Sequence, residues 1–186
     1  MDTYHYTVGS KLAAILRSGA LLPITADREP GERAVLWFST QPGWEPTATK
    51  LLLNPQTGEL RRATRLELHR TLGLFRFALP AADERLVRWP ALRHVARIGD
   101  AMARHLARSG RERGARPTDW SGSLVPITLE DTTFEAFDEQ RGWHRVVLAD
   151  AVERLHGLDG RILHAPASTA LQMAAAIQLR NAMLAT

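Results

Sequence analysis

The sequence predicts an α+β protein with a mixed β core, because strand patterns and helix patterns alternate along the chain. The apolar run AVLWFST, residues 34–40, predicts a strand that is buried on both faces and ends at two hydroxyl groups. LFRFALP, residues 74–80, alternates and ends at a proline, which predicts another strand. From Pro90 to Ser109, by contrast, apolar residues recur at the spacing of one amphipathic helix.

Size and composition limit the class of protein. The chain has 186 residues, of which 45% are hydrophobic, and this predicts one globular domain over residues 1–186. Cysteine is absent, which excludes disulfides and thiolate chemistry and favours a reducing compartment. No apolar run approaches the ~18 residues of a membrane span, and residues 1–6 lack a signal-peptide pattern. We therefore expect a soluble cytoplasmic protein with no membrane partner.

The N-terminus predicts a strand that leads directly into a helix. Tyr4 to Thr7 alternates rings with polar side chains, as a short strand does. The following helix is expected to be capped by Ser10 and to end at Gly19, which favours the left-handed exit conformation. A polar, exposed loop follows over residues 24–33.

Further along the chain, the remaining elements are predicted by local pattern. A turn with a short helix is expected in QPGWEPTATKLLL, another turn at Gly58, and a strand or a helix around Leu66 and Leu68. The C-terminal part predicts, in order, a mobile or substrate-facing loop over 110–123, an edge strand over 124–129, a strand over 142–148, and a C-terminal helical extension from about residue 165, with its helix over 168–184.

The basic side chains are almost all arginine, since lysine occurs only at Lys11 and Lys50. Arginine binds phosphate in a bidentate manner and stacks on bases, so a nucleic-acid or dinucleotide partner fits this bias. A GC-rich genome is the alternative explanation. Arginines are densest at positions 85, 88, 93, 97, 104, 108, 111, 113 and 116. We expect those of the predicted helix to be exposed, because it buries the stripe Leu92, Val95, Ile98, Met102 and Leu106.

Several kinds of site are disfavoured by the motifs that are missing. The seven histidines are scattered, none forms an HExxH motif, and no cysteine is available, so we expect no metal site. The phosphate-binding patterns GxxxxGK[ST] and GxGxxG do not occur, which disfavours P-loop and Rossmann chemistry. Spacing alone leaves a Ser-His-acid triad open, but no GxSxG motif favours it.

Two strand-borne motifs remain as a candidate site. If the strand of His5 lies beside the strand that ends at Ser39 and Thr40, an imidazole and two hydroxyls meet near one sheet end. Such groups hold ribose hydroxyls and a carboxamide through directional hydrogen bonds. The alternative is a histidine satisfied inside a small sheet, followed by ordinary turn residues.

The segment YHYTVGSKLAAILRSGALLP resembles the opening of ADP-ribosyltransferase-fold proteins, especially the DarT-like and RNA 2′-phosphotransferase-like branches. In those proteins an N-terminal strand with a histidine, often near a threonine, precedes a helix of the form LxxILxxGxLxP. A second strand ends in a tyrosine or a serine-threonine pair, to which LWFST is similar, and a late strand begins at a glutamate. The resemblance covers about the first fifty residues and implies an ADP-ribosyltransferase-like split, mixed β core with flanking helices.

The resemblance also implies NAD as the ligand and assigns roles to individual residues. His5 is expected to hold the ribose on the adenine side, with Thr7 nearby, while Ser39 and Thr40 shape the nicotinamide pocket. Glu139 is expected to be the catalytic acid, acting with His5, because a fixed carboxylate stabilises the cationic ribose carbon as nicotinamide leaves.

Other residues near these motifs are weaker candidates. Glu135 is the rival for the late glutamate, and Glu45 is a rival acid in the turn after Thr40. Among the aromatic residues, Phe38 is expected in the core, whereas Trp44 is assigned to the cofactor-binding set because it follows the second strand. Asp119 and Trp120 in the glycine-rich loop are candidates for substrate contact.

The first function that this pattern predicts is NAD-dependent ADP-ribosyl transfer to a macromolecule, DNA, RNA or protein, by a toxin, a phage-conflict factor or a nucleic-acid modifier. The second is NAD-dependent removal of a 2′-phosphate from RNA. The third is a non-catalytic module of the same fold that binds nucleic acid or an acidic protein through the arginine-rich helix. The acceptor and the oligomeric state are left open by the sequence.

Overall fold

The computed structural model of the chain describes residues 1–24, 29–53 and 60–147. Its helices are α1 (Gly9–Ser18), α2 (Arg65–Leu72), α3 (Trp89–Val95) and α4 (Asp100–Glu112). Its strands are β1 (Asp2–Val8), β2 (Ala20–Leu21), β3 (Leu36–Ser39), β4 (Leu51–Leu53), β5 (Leu60–Arg62), β6 (Leu74–Pro80), β7 (Val87–Arg88), β8 (Trp120–Ser123), β9 (Ile127–Thr128), β10 (Thr133–Asp138) and β11 (Gly142–Arg145). The predicted α+β class is therefore confirmed.

Most strands belong to one seven-stranded sheet, in the order β11-β10-β6-β1-β3-β8-β7. The pairs β1–β3, β3–β8, β7–β8 and β10–β11 are antiparallel. Two small antiparallel pairs, β2–β9 and β4–β5, complete the strand pairing of the described residues. The described residues divide into two compact units: unit 1 holds Met1–His5, Ala20–Thr47 and Ala78–Thr132, and unit 2 holds Tyr6–Gly19, Ala48–Phe77 and 133–147.

The N-terminal strand and helix form as the sequence predicts, but the helix begins differently. Val8 is the N-cap residue and its side chain makes no cap hydrogen bond, so Ser10 lies inside the first turn and the prediction that it caps the helix was wrong. Val8 occupies the N-cap position because it is the last residue of β1 and its backbone is extended, as the backbone of an N-cap residue is. Gly19 ends the helix with φ 65°, and its N–H bonds to the Leu16 carbonyl, as expected.

Unit 1 is built around β3, the strand that the sequence predicts most clearly. Val35, Leu36, Phe38 and Ser39 are buried, while Trp37 is half-buried. The core cluster of this unit consists of buried apolar side chains from several segments of the chain: Val35, Trp89, Leu92, Ala96, Ala103, Ala115 and Trp120. The rings of Trp37 and Trp89 both pack near Trp120, with centroids 6.4 and 5.6 Å from it.

The single helix predicted from Pro90 to Ser109 is in fact two helices, α3 and α4. The chain breaks between them at Arg97, which has φ 58°, and the Ala96 carbonyl accepts a bond from the Arg33 N–H instead of continuing the helix. Val95 is 43% exposed because it lies at the end of α3, so its place in the predicted buried stripe was wrong.

The loop predicted over 110–123 is mostly regular structure. It contains the last turn of α4, a 3₁₀ turn at Pro117–Asp119 and the sheet strand β8. β8 escapes prediction because WSGS carries little apolar bulk, yet all four of its residues are buried between β3 and β7. The predicted edge strand over 124–129 exists as the short β9, which pairs with β2 in a two-stranded sheet.

Unit 2 contains α2 and the hairpin of β10 and β11. The open choice around Leu66 and Leu68 is settled as a helix, with a capping box between Thr64 and Glu67. No strand is predicted where β10 lies, whereas β11 confirms the predicted late strand. On β6 six residues are buried, including Arg76, so this strand is buried on both faces.

Some predictions fall outside the described residues, namely the turn at Gly58 and the C-terminal helix over 168–184. Within the described residues, no helix is long and apolar enough to cross a membrane.

Candidate functional site

The two strands that carry the candidate motifs are hydrogen-bonded neighbours. Tyr4 of β1 lies opposite Ser39 of β3 in the antiparallel register, which confirms the side-by-side placement on which the site prediction depends. His5 is the next residue of β1 after Tyr4. Its Nδ1 lies 2.9 Å from the Trp37 carbonyl oxygen. A carbonyl only accepts, so Nδ1 is the donor in this hydrogen bond. The imidazole also packs on Phe38, with ring centroids 5.8 Å apart.

Ser39 is held by a buried carboxylate that sequence reasoning ranked only as a rival. Its Oγ donates to Glu45 Oε2 at 2.7 Å and accepts from the Gln41 N–H at 3.2 Å. Glu45 is 5% exposed, and its other oxygen accepts from both the N–H and the hydroxyl of Thr47. The Glu45 carboxylate therefore links Ser39 at the end of β3 to Thr47 in the turn that follows. The proton of the Ser39 hydroxyl is used in the hydrogen bond to this carboxylate.

The next residues along the turn are tied to the start of β8. The Thr40 N–H bonds to the Asp119 carbonyl at 2.9 Å, and the Gln41 amide donates to the Asp119 carboxylate. Arg116 donates to the same carboxylate at 3.0 Å. Burial alone would raise the pKa of Asp119, but the bonds from Arg116, Gln41 and the Thr40 hydroxyl together hold it below its ordinary value. Asp119 thus remains ionised at neutral pH and anchors the turn.

The aromatic residues around the site divide between core and surface. Phe38 is 2% exposed, as predicted for a core residue. Trp120 is 7% exposed and belongs to the core cluster of unit 1, so its candidacy for substrate contact was wrong. Trp44 is half-buried in the turn between Ser39 and Thr47.

Thr7 lies on β1 two residues after His5, on the same side of the strand by the alternation of extended backbone, and it is 6% exposed. It belongs to unit 2, whereas His5, Ser39, Thr40 and Trp44 belong to unit 1.

Glu139, the expected catalytic acid, lies in unit 2 just after β10. Its carboxylate receives two hydrogen bonds from Arg70 of α2, at 2.7 and 2.9 Å. These bonds lower the pKa of Glu139, so the side chain is a carboxylate at neutral pH. Its side chain is 41% exposed, which leaves it open to solvent and to a partner molecule.

Glu135, the rival of Glu139, has a different environment in the same unit. It accepts a hydrogen bond from Arg76 Nε at 2.5 Å, with side-chain exposures of 7% for Arg76 and 16% for Glu135. The Arg76 guanidinium also lies 4.4 Å from the centre of the Trp143 ring. This buried pair is a structural element of unit 2.

Sequence reasoning missed the partners that hold the candidate residues in place. Gln41, Thr47 and Arg116 carried no motif, and their roles depend on the pairing of β3 with β8. The proximity of Glu45 to Ser39 in sequence was the one available signal.

In the described residues, no group of three or more histidine, aspartate or glutamate side chains could hold a metal ion. The chain matches no protein-family model, no curated protein and no solved structure.

Proposed function

We propose that the protein is an ADP-ribosyltransferase-fold enzyme with a split, mixed β core that transfers ADP-ribose from NAD to a macromolecule in the cytoplasm. The observation that carries the proposal is the pairing of β1 with β3, which puts the imidazole of His5 beside the strand that ends at Ser39 and Thr40. The predicted site depends on this pairing.

The hydrogen-bond polarity of these residues fits NAD. The hydrogen bond to the Trp37 carbonyl fixes the His5 imidazole, a group that can bond to a ribose hydroxyl. The Ser39 hydroxyl donates to Glu45 and already accepts from the Gln41 N–H, whereas the Thr40 hydroxyl donates to Asp119 and leaves its oxygen to act as an acceptor. Such an acceptor suits the NH₂ group of a nicotinamide carboxamide. Trp44, half-buried in the adjoining turn, provides an aromatic face on which a flat ring can stack.

NAD supplies a ribose carbon that is joined to nicotinamide by a glycosidic bond. In the transfer this bond breaks, nicotinamide leaves, and the acceptor nucleophile forms a new bond to the same carbon. The chain contributes fixed groups, and the role of Glu139 is to present negative charge to the sugar carbon that becomes cationic. A carboxylate whose pKa is lowered by Arg70 is ionised throughout the neutral range, as this role demands. His5 is held by Trp37, so it orients the sugar at no further entropic cost during the reaction.

A combined binding and transfer experiment tests the proposal. NAD at about 100 times its Kd should stabilise the native protein by about 2.7 kcal/mol, which a thermal-shift titration measures. With NAD labelled on its adenylate half, label should pass to a macromolecule in a cell extract while nicotinamide is released in equal amount.

The matched control compares two histidines of unit 1. His5→Ala should abolish the NAD-dependent shift and the transfer, whereas His94→Ala, at an exposed position of α3, should leave both unchanged. Absence of an NAD-dependent shift in the wild-type chain would overturn the proposal. A different outcome would identify a 2′-phosphotransferase instead. In that case the label would appear in a small product that carries the RNA phosphate, and only when 2′-phosphorylated RNA is present.

A further inference from the structure

The outward face of α4 carries a row of arginines. Arg104, Arg108 and Arg111 follow one another at helical spacings of four and three residues, and all three are exposed. Residues of one face at i, i+4 and i+7 span about 10 Å along a helix. The opposite face contains Ala103 and Gly110, which are buried in unit 1. We name these three residues the α4 arginine face.

The arginines of the α4 arginine face have no acidic partner among the described residues, as is also true of most other described arginines. Within residues 1–24, 29–53 and 60–147, ion pairs occupy Arg61, Arg70, Arg76, Arg85 and Arg116. None of the three arginines of the α4 face forms an ion pair with a described carboxylate. The acidic residues of the helix, Asp100 and Glu112, are its first and last residues, so positive charge is undiluted between them.

An arginine row of this kind is complementary to a linear polyanion. Each guanidinium makes bidentate hydrogen bonds to phosphate oxygens, and three of them on one rigid helix meet successive phosphates without ordering a flexible segment first. The carboxylates of a folded acidic protein are scattered over an irregular surface. The phosphates of a nucleic-acid strand, by contrast, follow one another in a regular line along a groove edge. The regular spacing of the α4 arginine face therefore suits a nucleic-acid strand better than an acidic protein.

We propose that the α4 arginine face binds the phosphate backbone of a nucleic acid. The contacts are to phosphate, so they position the nucleic acid and carry no base specificity. Binding through this face does not depend on NAD, and it stands or falls separately from the transfer reaction proposed above.

The test measures the affinity of the full chain for a short fluorescein-labelled DNA duplex by anisotropy, as a function of salt concentration. The logarithm of the association constant should fall linearly with the logarithm of salt concentration, by about 0.9 for each phosphate contact. The variant Arg104→Gln/Arg108→Gln/Arg111→Gln should therefore lose about 2.7 from the magnitude of that slope and bind more weakly at low salt.

The matched control removes the same formal charge elsewhere. Arg17, Arg62 and Arg141 are exposed, and changing all three to glutamine should alter the slope far less than the α4 substitutions do. Equal losses in the two triple variants would show that net charge alone attracts the DNA, and this would overturn the proposal. Binding of the wild-type chain that is insensitive to salt, or absent, would also overturn it.

A competitor distinguishes the nucleic acid from an acidic protein. Unlabelled duplex should displace the probe at far lower anion concentration than polyglutamate does. If polyglutamate competes as well as the duplex, the face is a docking site for acidic protein and the proposal is wrong. Circular dichroism of both triple variants checks that the fold is retained.

Discussion

Ser39 Oγ donates a 2.7 Å hydrogen bond to Glu45 Oε2, and both side chains are almost fully buried. Because Glu45 also accepts from Thr47, this carboxylate joins the end of β3 to the turn that follows it. A buried carboxylate is costly unless donors surround it, so the stability of the turn depends on every one of these donors.

Ser39→Ala should lower the free energy of unfolding by about 1.5–3 kcal/mol, because it removes one hydrogen bond to a buried charged group. Urea denaturation of the wild-type and variant chains measures the difference. Ser18→Ala is the matched control, since Ser18 is exposed and its Oγ donates to the nearby Ile15 carbonyl at 2.8 Å rather than to a buried carboxylate. A loss at position 18 as large as that at position 39 would contradict a special role for the Glu45 contact.

Gly122→Ala should destabilise the protein by about 1–3 kcal/mol through overpacking. A Cβ at Gly122 would lie 2.5 Å from Val35 Cγ1 and 2.8 Å from Leu92 Cδ2, inside the core of unit 1. Gly43→Ala is the control, because a Cβ there meets nothing within 4 Å and its φ is not in the left-handed region. Thermal melting of the two variants checks this, and an unchanged melting temperature for Gly122→Ala would show that unit 1 packs more loosely around β8.

Strong local patterns were enough to predict the centre of the fold from the sequence. The apolar run ending at Ser39, the alternating residues around His5 and the glycine exit at Gly19 each belong to one element and need no distant contact. The adjacency of β1 and β3 was the condition on which the predicted site depended, and the structure has it.

Other features depend on contacts between segments far apart in sequence, and local pattern does not contain them. The helix break at Arg97 is fixed by the bond from the Arg33 N–H to the Ala96 carbonyl. β8 is a strand because β3 and β7 flank it, and Gly122 is needed there because Val35 and Leu92 occupy the space of a side chain. The anchoring of Gln41 by Asp119 depends on the same strand pairing.

Acid should weaken the capping box of α2 by protonating Glu67. Hydrogen bonds from Arg61, and then from the backbone and side chain of Thr64, lower the pKa of Glu67 from 4.5 to about 2. Because the folded-state pKa is lowered, the contribution of Glu67 to stability is full above pH 4.5 and is lost as the pH falls from there towards about 2.

Carboxyl chemical shifts recorded by NMR during an acid titration measure this pKa directly. Arg61→Gln should move the midpoint of Glu67 upward, since the hydrogen bond from Arg61 is the largest cause of the shift. A midpoint that stays at the same pH in Arg61→Gln would contradict the assignment of that cause.

Glu139→Gln should reduce ADP-ribosyl transfer by ~10²-fold or more while NAD binding changes little, because a preorganised charge is removed and the shape is kept. The exposed position of Glu139 means that the fold should tolerate the change. Transfer of label from NAD and the NAD-dependent thermal shift are measured on the same preparation, which separates catalysis from binding.

Glu135→Gln is the informative comparison, because it disturbs a buried ion pair rather than an exposed one. Removing the carboxylate that pairs with Arg76 should cost about 3–5 kcal/mol of stability, so any loss of transfer should come with a lowered melting temperature. If Glu139→Gln transfers ADP-ribose at the wild-type rate, Glu139 is not the catalytic acid. Loss of transfer in Glu135→Gln or Glu45→Gln at an unchanged melting temperature would then assign the catalytic carboxylate to that residue.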